Sequence, residues 1–210
     1  MMSRTASLVN IAGAATRLFS PGKSRPDDLF LLLHGLTGDE NSMSVFAARL
    51  PEHAAWAAPR GIFPSVHGGY TWCPPGAGLR PTLSDLAPAL RFLEAFLDDL
   101  AGLGDHRRLP AALDLSKIHL VGFSLGAALA YAFTIRYPER VESLAALAGF
   151  LPGGIAAAGH QGTFNGLRLF VSHGVKDDVT PVELARQAVR FFSAAVADVD
   201  YCETDSGHKL

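Results

Sequence analysis

The chain has 210 residues, of which 49% are hydrophobic and 18% are charged, and this composition favours a single domain over residues 1–210 with a large core. The formal net charge is −2 and no basic cluster exceeds Arg107-Arg108, so nucleic acid and anionic membranes are not expected as partners. Cys73 and Cys202 have no C-x-x-C spacing, which argues against structural zinc and disulfides and favours a cytoplasmic protein.

The N-terminal segment is mildly apolar but irregular. Asn10, Thr16 and Arg17 interrupt the run over residues 6–19, so we expect neither a signal peptide nor membrane insertion. Turn-forming residues follow at 20–24. Residues 1–27 are therefore expected to hold an edge strand or hairpin.

Strands and helices are predicted to alternate along the rest of the chain. Residues 28–34, DLFLLLH, form an unbroken apolar run that is typical of a strand buried on both faces. Further strands are predicted at 54–58, 118–121, 141–148, 167–172 and 199–203, and helices at 42–50, 84–103, 125–132 and 181–195. This order indicates an α/β fold, a doubly wound and mostly parallel sheet with helices on both faces.

A G-x-S-x-G motif, Gly122-Phe123-Ser124-Leu125-Gly126, lies between a predicted strand and a predicted helix. A serine in this position occupies a strained turn, and the flanking glycines avoid clashes with neighbouring backbone. The first N–H groups of the helix point at whatever the serine attacks. The motif predicts Ser124 as a nucleophile; the alternative is a chance match in a glycine-rich loop.

A nucleophilic serine needs a base and an acid, which follow it in the chain in folds with this motif. His208 is the only histidine after residue 173, and it is the predicted base; the alternative is a solvated histidine near the chain end. Asp177 and Asp178 both follow the strand at 167–172. Spacing does not choose between them, and either could instead accept N–H groups at the start of the next helix.

The second donor of an oxyanion hole is expected in the turn after the first buried strand, His34-Gly35-Leu36-Thr37-Gly38. The backbone N–H groups of Leu36 and Leu125 are the two predicted donors. His34 and His173 are interpreted as structural, since each ends a buried strand. The remaining histidines have no metal-ligand spacing, so we predict neither a metal nor a cofactor.

Residues 60–81 are too rich in Gly and Pro for regular structure and too rich in aromatic residues for a solvated loop. Together with the loop at 149–166, this segment is expected to wall a substrate pocket. The predicted substrate-binding residues are Phe63, Tyr70, Trp72 and Phe164. The alternative is that these aromatic side chains belong to the core.

Five segments carry a family resemblance: LLLHGLTGDENSM, GGYTW, LDLSKIHLVGFSLGAALA, VSHGVKDDVTP and the terminal SGH. Together they resemble the phospholipase/carboxylesterase family of α/β-hydrolases, which includes acyl-protein thioesterases. The resemblance runs from about residue 28 to the end and implies an α/β-hydrolase fold without a separate lid domain. It implies Ser124, Asp177 and His208 as the triad, with Asp177 chosen by the family pattern H-G-x-x-D, and the amides of Leu36 and Leu125 as the oxyanion hole.

The sequence departs from the family pattern in three places. Thr37 stands where the family often has Gly, and Leu125 stands where it often has Gln. The chain ends two residues past His208, whereas the family usually continues into a final helix. The first two departures change the oxyanion turn and the pocket wall, but a backbone donor survives both.

These features predict a serine carboxylesterase that hydrolyses small to medium acyl esters through an acyl-enzyme on Ser124. The expected partner is a small-molecule ester, and self-association as a homodimer stays open. One alternative is lysophospholipase or acyl-protein thioesterase activity, which needs a long apolar channel. Another is a non-catalytic binding protein with the hydrolase fold, against which the complete triad argues.

Overall fold

The computed structural model describes residues 6–21, 28–102, 115–155 and 163–209. Its main sheet has eight strands, which are β1 (Ser7–Ile11), β2 (Ala14–Phe19), β3 (Leu29–Leu33), β4 (Ala55–Pro59), β7 (Ile118–Phe123), β8 (Val141–Leu147), β9 (Arg168–Gly174) and β10 (Asp198–Thr204). Two short strands, β5 (Phe63–Pro64) and β6 (Tyr70–Thr71), form a separate hairpin.

The strand order in the main sheet is β1-β2-β4-β3-β7-β8-β9-β10. Strands β4, β3, β7, β8, β9 and β10 pair in parallel, and β2 pairs antiparallel with both β1 and β4. The predicted N-terminal edge hairpin and the mostly parallel sheet are thus both present. In such a sheet, loops at the carboxyl ends of the parallel strands converge on one edge.

In the described residues, four α-helices lie between these strands: α1 (Ser44–Ala47), α2 (Leu83–Gly102), α3 (Leu125–Arg136) and α4 (Val182–Ala194). Helix α1 is much shorter than the predicted span 42–50. The Asp39 carboxylate accepts the N–H groups of Asn41 and Ser42 at 2.9 and 3.1 Å, which makes a turn there instead. Within the described ranges, no helix is both long and apolar enough to cross a membrane.

Helices lie on both faces of the sheet. Helices α2, α3 and α4 share one core with alternate residues of β3, including Leu29, Leu31 and Leu33. On the opposite face, α1 contributes Ala47 to a smaller cluster with Leu32. This alternation is the two-residue period of a buried strand, and it explains the unbroken apolar run in β3.

Candidate active site

Ser124 lies between β7 and α3 with φ 52° and ψ −116°. A positive φ is strained for a residue with a side chain, and the sharp turn lifts the serine Oγ out of the sheet. The Ser124 N–H donates to the Leu147 carbonyl at 2.8 Å and holds the turn. A Cβ on Gly122 would lie 2.6 Å from Ala127 backbone atoms, and one on Gly126 would overlap the Leu33 carbonyl. Both glycines of the motif are therefore required by close backbone approach.

The structure brings the three predicted triad residues together. The Ser124 hydroxyl lies 3.0 Å from Nε2 of His208, and Nδ1 of His208 lies 2.7 Å from Oδ2 of Asp177. A carboxylate accepts, so Nδ1 carries the hydrogen and Nε2 is free to accept the serine proton. This arrangement can deprotonate Ser124 as it attacks a carbonyl carbon.

The Asp177 side chain is wholly buried, and both carboxylate oxygens accept hydrogen bonds. Its Oδ1 accepts the N–H groups of Val179 and Thr180 at 3.0 and 2.7 Å. Burial raises the pKa of Asp177, but the hydrogen bonds from Thr180, His208 and Val179 outweigh it, and the pKa lies below its usual value. Asp178 is exposed, and α4 begins without a side-chain hydrogen bond at its N-cap. The geometry therefore selects Asp177 over Asp178.

The predicted oxyanion residues Leu36 and Leu125 both line the cavity that contains Ser124 and His208. Leu125 is the first residue of α3, where backbone N–H groups lack intrahelical acceptors. The turn that carries Leu36 passes through Thr37, which has a left-handed φ of 66°. A Cβ on Gly69 would overlap the Thr37 carbonyl. The backbone of this turn therefore packs closely against Gly69, in the segment that precedes β6.

His34 fastens the same turn from inside the core. Its Nδ1–H donates to the Gly35 carbonyl at 2.7 Å, and its Nε2 accepts the Gly61 N–H at 2.8 Å. The His34 carbonyl accepts the indole N–H of Trp72, also at 2.8 Å. These contacts agree with the structural interpretation of His34. They also explain how residues 60–72 hold the oxyanion turn.

His34 should make the stability of the protein depend on pH. Burial lowers the pKa of His34 below 6.5, against the opposing effect of its bond to Gly35. The unfolded chain binds this proton near its ordinary pKa and the folded protein does not, so the free energy of unfolding falls as pH drops below about 6.5. The contribution is at most about 1.4 kcal/mol per pH unit.

The His34→Gln variant keeps an acceptor for the Gly61 N–H but cannot titrate. It should therefore lose less stability than the wild type between about pH 7.5 and pH 5.5, as measured by urea unfolding. Equal losses in the two proteins would assign the pH dependence to other groups.

A salt bridge joins Glu40 to Arg60. The Arg60 guanidinium donates to both oxygens of the buried Glu40 carboxylate, at 2.7 and 2.9 Å, and lies 4.5 Å from the centre of the Tyr70 ring. The hydrogen bonds from Arg60 lower the pKa of Glu40. Sequence reasoning missed this pair, since two single charges 20 residues apart give no local signal.

The cavity beside Ser124 has a volume of about 490 Å³. Its wall is mostly apolar and comes from six segments, which follow β3, β4, β7, β8, β9 and β10. The lining residues besides Ser124 and His208 are Leu36, Thr37, Pro64, Ser65, Val66, His67, Thr71, Cys73, Pro74, Pro75, Gly76, Ala77, Gly78, Leu79, Arg80, Phe123, Leu125, Phe150, Val179 and Thr180. The two predicted loops thus reach the cavity, the second one through Phe150.

The four predicted substrate-binding aromatics are not among these lining residues, which corrects that assignment. Trp72 is 0% exposed, because its indole N–H is committed to the His34 carbonyl. Phe164 is 2% exposed and stacks against Phe192 of α4. Phe63 lies in β5 outside the lining, and Tyr70 binds Arg60 at a different concavity. Small and aliphatic residues make up most of the wall, together with two other aromatic residues, Phe123 and Phe150.

The two cysteines have different environments. Cys73 is buried in the cavity wall, and burial raises its pKa to about 12. Cys202 is exposed on β10, the strand that leads to His208. Among the described residues, no group of three or more His, Cys, Asp or Glu side chains is arranged to hold a metal ion.

A second set of contacting serine, histidine and aspartate side chains lies on the sheet face, at a separate concavity of about 500 Å³. Ser143 Oγ lies 2.7 Å from Nδ1 of His119, and Nε2 of His119 lies 3.2 Å from Asp28. Ser143 is inside β8, paired on one side with β7 and on the other with β9. It lies in the sheet, beside a register irregularity in the pairing of β7 with β8, rather than in a strained turn before a helix. Ser143 is therefore a hydrogen-bonded serine within the sheet and a useful control.

Comparisons with known proteins were consistent with this geometry. The family model described as phospholipase/carboxylesterase matches residues 17–210. The chain is 26% identical over 202 residues to acyl-protein thioesterase 1 of Kluyveromyces lactis, covering 85% of this chain and 82% of that protein.

Two solved structures are similar at low sequence identity. The carboxylesterase of Mesorhizobium loti aligns with a TM-score of 0.79 at 22% identity, covering 98% of this chain and 92% of that one. The carboxylesterase of Bacillus cereus aligns with a TM-score of 0.80 at 22% identity, covering 94% and 87%. These likenesses establish the α/β-hydrolase fold. With the family model matching nearly the whole sequence, the chain belongs to the phospholipase/carboxylesterase family of hydrolases.

Proposed function

We propose that the protein is a serine carboxylesterase that hydrolyses esters of small to medium acyl chains. The observation that carries this proposal is the chain of hydrogen bonds from Ser124 through His208 to Asp177. Ser124 and His208 line an apolar cavity. The cavity volume of about 490 Å³ lies within the usual range of small-molecule sites.

The reaction begins when Ser124 Oγ attacks the ester carbonyl carbon and its proton passes to Nε2 of His208. Asp177 stabilises the imidazolium through the hydrogen bond to Nδ1, and the N–H groups of Leu36 and Leu125 stabilise the oxyanion. The intermediate collapses as the C–O bond breaks, and the alcohol leaves with the proton from His208. Water, deprotonated by His208, then attacks the acyl-enzyme and frees the acid and Ser124.

A second candidate is hydrolysis of longer acyl esters or thioesters. The cavity lining includes four exposed aliphatic side chains, Leu36, Val66, Leu79 and Val179. They extend the apolar surface outward from the cavity, where it could bind more of a long chain. The similarity to an acyl-protein thioesterase supports the same reading.

Labelling with a fluorophosphonate probe, followed by peptide mapping, tests the proposed nucleophile. We expect the probe on Ser124 and none on Ser143, although both hydroxyls contact a histidine. Activity toward p-nitrophenyl esters of increasing chain length then separates the two candidate substrates. An unlabelled protein, or label on Ser143 alone, would overturn the proposal.

The Leu79→Ala variant should shorten the preferred acyl chain. Removing this lining side chain takes away apolar contact with the far end of a long chain, so kcat/KM should fall about threefold to tenfold for an octanoate ester and remain unchanged for acetate. Leu8→Ala is a matched control, because Leu8 is also exposed but lies on β1. An equal loss on both esters would show that Leu79 does not contact the acyl chain.

A further inference from the structure

His173 contacts the acid of the triad at the end of β9. Both side chains are wholly buried, and His173 Nε2 lies 3.3 Å from Oδ2 of Asp177. The same nitrogen lies 2.6 Å from the Thr180 carbonyl. A carbonyl oxygen only accepts, so Nε2 carries the hydrogen and donates it to the Thr180 carbonyl, with Oδ2 of Asp177 in contact beside it. Oδ2 is also the carboxylate oxygen that binds His208.

We propose that His173 is a positioning residue for Asp177, an inference that rests on the proposed function of Ser124. Its Nε2–H dipole lies against the buried carboxylate and holds the Thr180 peptide, whose N–H donates to the same carboxylate. The carboxylate then keeps the His208 hydrogen on Nδ1, so that Nε2 can accept the proton of Ser124.

The turn after Asp177 supports this role. The Thr180 N–H donates to Oδ1 of Asp177 at 2.7 Å, while the Thr180 carbonyl accepts from His173. The N–H and carbonyl groups of Thr180 thus link Asp177 to His173. Loss of the His173 N–H would leave the Thr180 carbonyl without this donor and remove a positive N–H dipole from beside Oδ2.

The residue type at this position follows from one of the two ring nitrogens. Nδ1 of His173 is buried and has no hydrogen-bond partner within the described part of the chain. An apolar side chain would avoid this unpaired atom but would leave the Thr180 carbonyl without its donor. The histidine is accounted for by what its Nε2–H contacts.

Three variants test the proposal. His173→Leu removes the N–H group that holds the Thr180 peptide and contacts the carboxylate, and it should lower kcat about tenfold to a hundredfold with KM unchanged, the range typical of losing an outer partner that orients a functional group. His173→Gln places an amide N–H near the position of Nε2 and should restore most of that loss. His119→Leu is the matched control, since His119 is a buried histidine bound to Ser143 on the sheet face, and it should leave kcat unchanged.

A double-mutant cycle with Asp177→Asn separates positioning from general destabilisation. If His173 acts through the acid, adding His173→Leu to Asp177→Asn should slow fluorophosphonate labelling by less than about threefold. The same factor in both backgrounds would overturn the proposal, as would a normal kcat in His173→Leu together with a lower Tm. If His173→Leu does not fold, His173→Gln tests the proposal instead. Near wild-type kinetics, as expected for His119→Leu, would support the proposal. An inactive but well-folded His173→Gln would contradict it. Failure of the proposed function itself would appear separately, as wild-type activity that survives Ser124→Ala.

Discussion

Ser124→Ala is expected to lower kcat toward p-nitrophenyl acetate by about 10⁴-fold to 10⁶-fold, because no other group in the site can form the acyl-enzyme. Binding and the oxyanion donors remain, so KM should change little. The free energy of unfolding should stay within about 1 kcal/mol of the wild-type value, since only the hydrogen bond to His208 is lost. Steady-state kinetics and urea unfolding of the purified variant measure both.

Ser143→Ala provides the control for this experiment. It removes a serine hydroxyl that also contacts a histidine, but from within strand β8 rather than from the turn before α3. Its kcat should remain within about threefold of the wild type. Activity that survived in Ser124→Ala and disappeared in Ser143→Ala would reverse the assignment of the nucleophile.

Asp177→Asn is expected to lower kcat by about 10⁴-fold, the size of this change in the best-studied triad. The Asn side chain can still accept the Val179 and Thr180 N–H groups through its oxygen, which places its NH2 toward His208. An NH2 group stabilises the tautomer with hydrogen on Nε2, and this tautomer cannot accept the serine proton. Stability should change little, since the turn keeps its hydrogen bonds.

Asp178→Asn removes the same charge one residue away. Asp178 is exposed, so both kcat and the free energy of unfolding should remain near their wild-type values, the latter within about 0.5 kcal/mol. Kinetics of the two Asn variants under one set of conditions decide the matter. A large loss in Asp178→Asn with normal activity in Asp177→Asn would contradict the geometry described above.

The sheet and the triad could be predicted because their signals are local or ordered. The apolar run before His34 marks a buried strand, and the glycines around Ser124 mark a close strand-to-helix approach. His208 was identified by its order in the chain. Asp177 needed either the family pattern or the structure, since two adjacent carboxylates have the same spacing to within one residue.

The wall of the cavity could not be predicted, because the aromatic side chains of a loop can be buried either in the core or in the wall of a pocket. Trp72 lies in the core because its N–H reaches the His34 carbonyl 38 residues away. Nothing local to Trp72 encodes that contact. The burial of Phe164 likewise depends on a contact with a distant residue, Phe192. Pro74, Pro75 and Gly76, which follow Trp72, line the cavity instead.

His173 shows the limit of reasoning from position alone. Its place at the end of a buried strand correctly indicated a buried side chain. Its contact with Asp177 depends on how the chain turns back at Thr180, which brings a carbonyl and a carboxylate to one nitrogen. A turn of this kind has no signature in residue type.

The contrast between the two thiols has a practical use in labelling. With a pKa of about 12, only about one Cys73 in 10⁴ is a thiolate near pH 8, and its sulfur is buried. A maleimide fluorophore or spin label should therefore attach at Cys202 and leave the cavity wall untouched. Because β10 leads directly to His208, the attached label would report movement of the base during turnover. A serine-directed inhibitor could be added to the same sample to compare the free and acylated states.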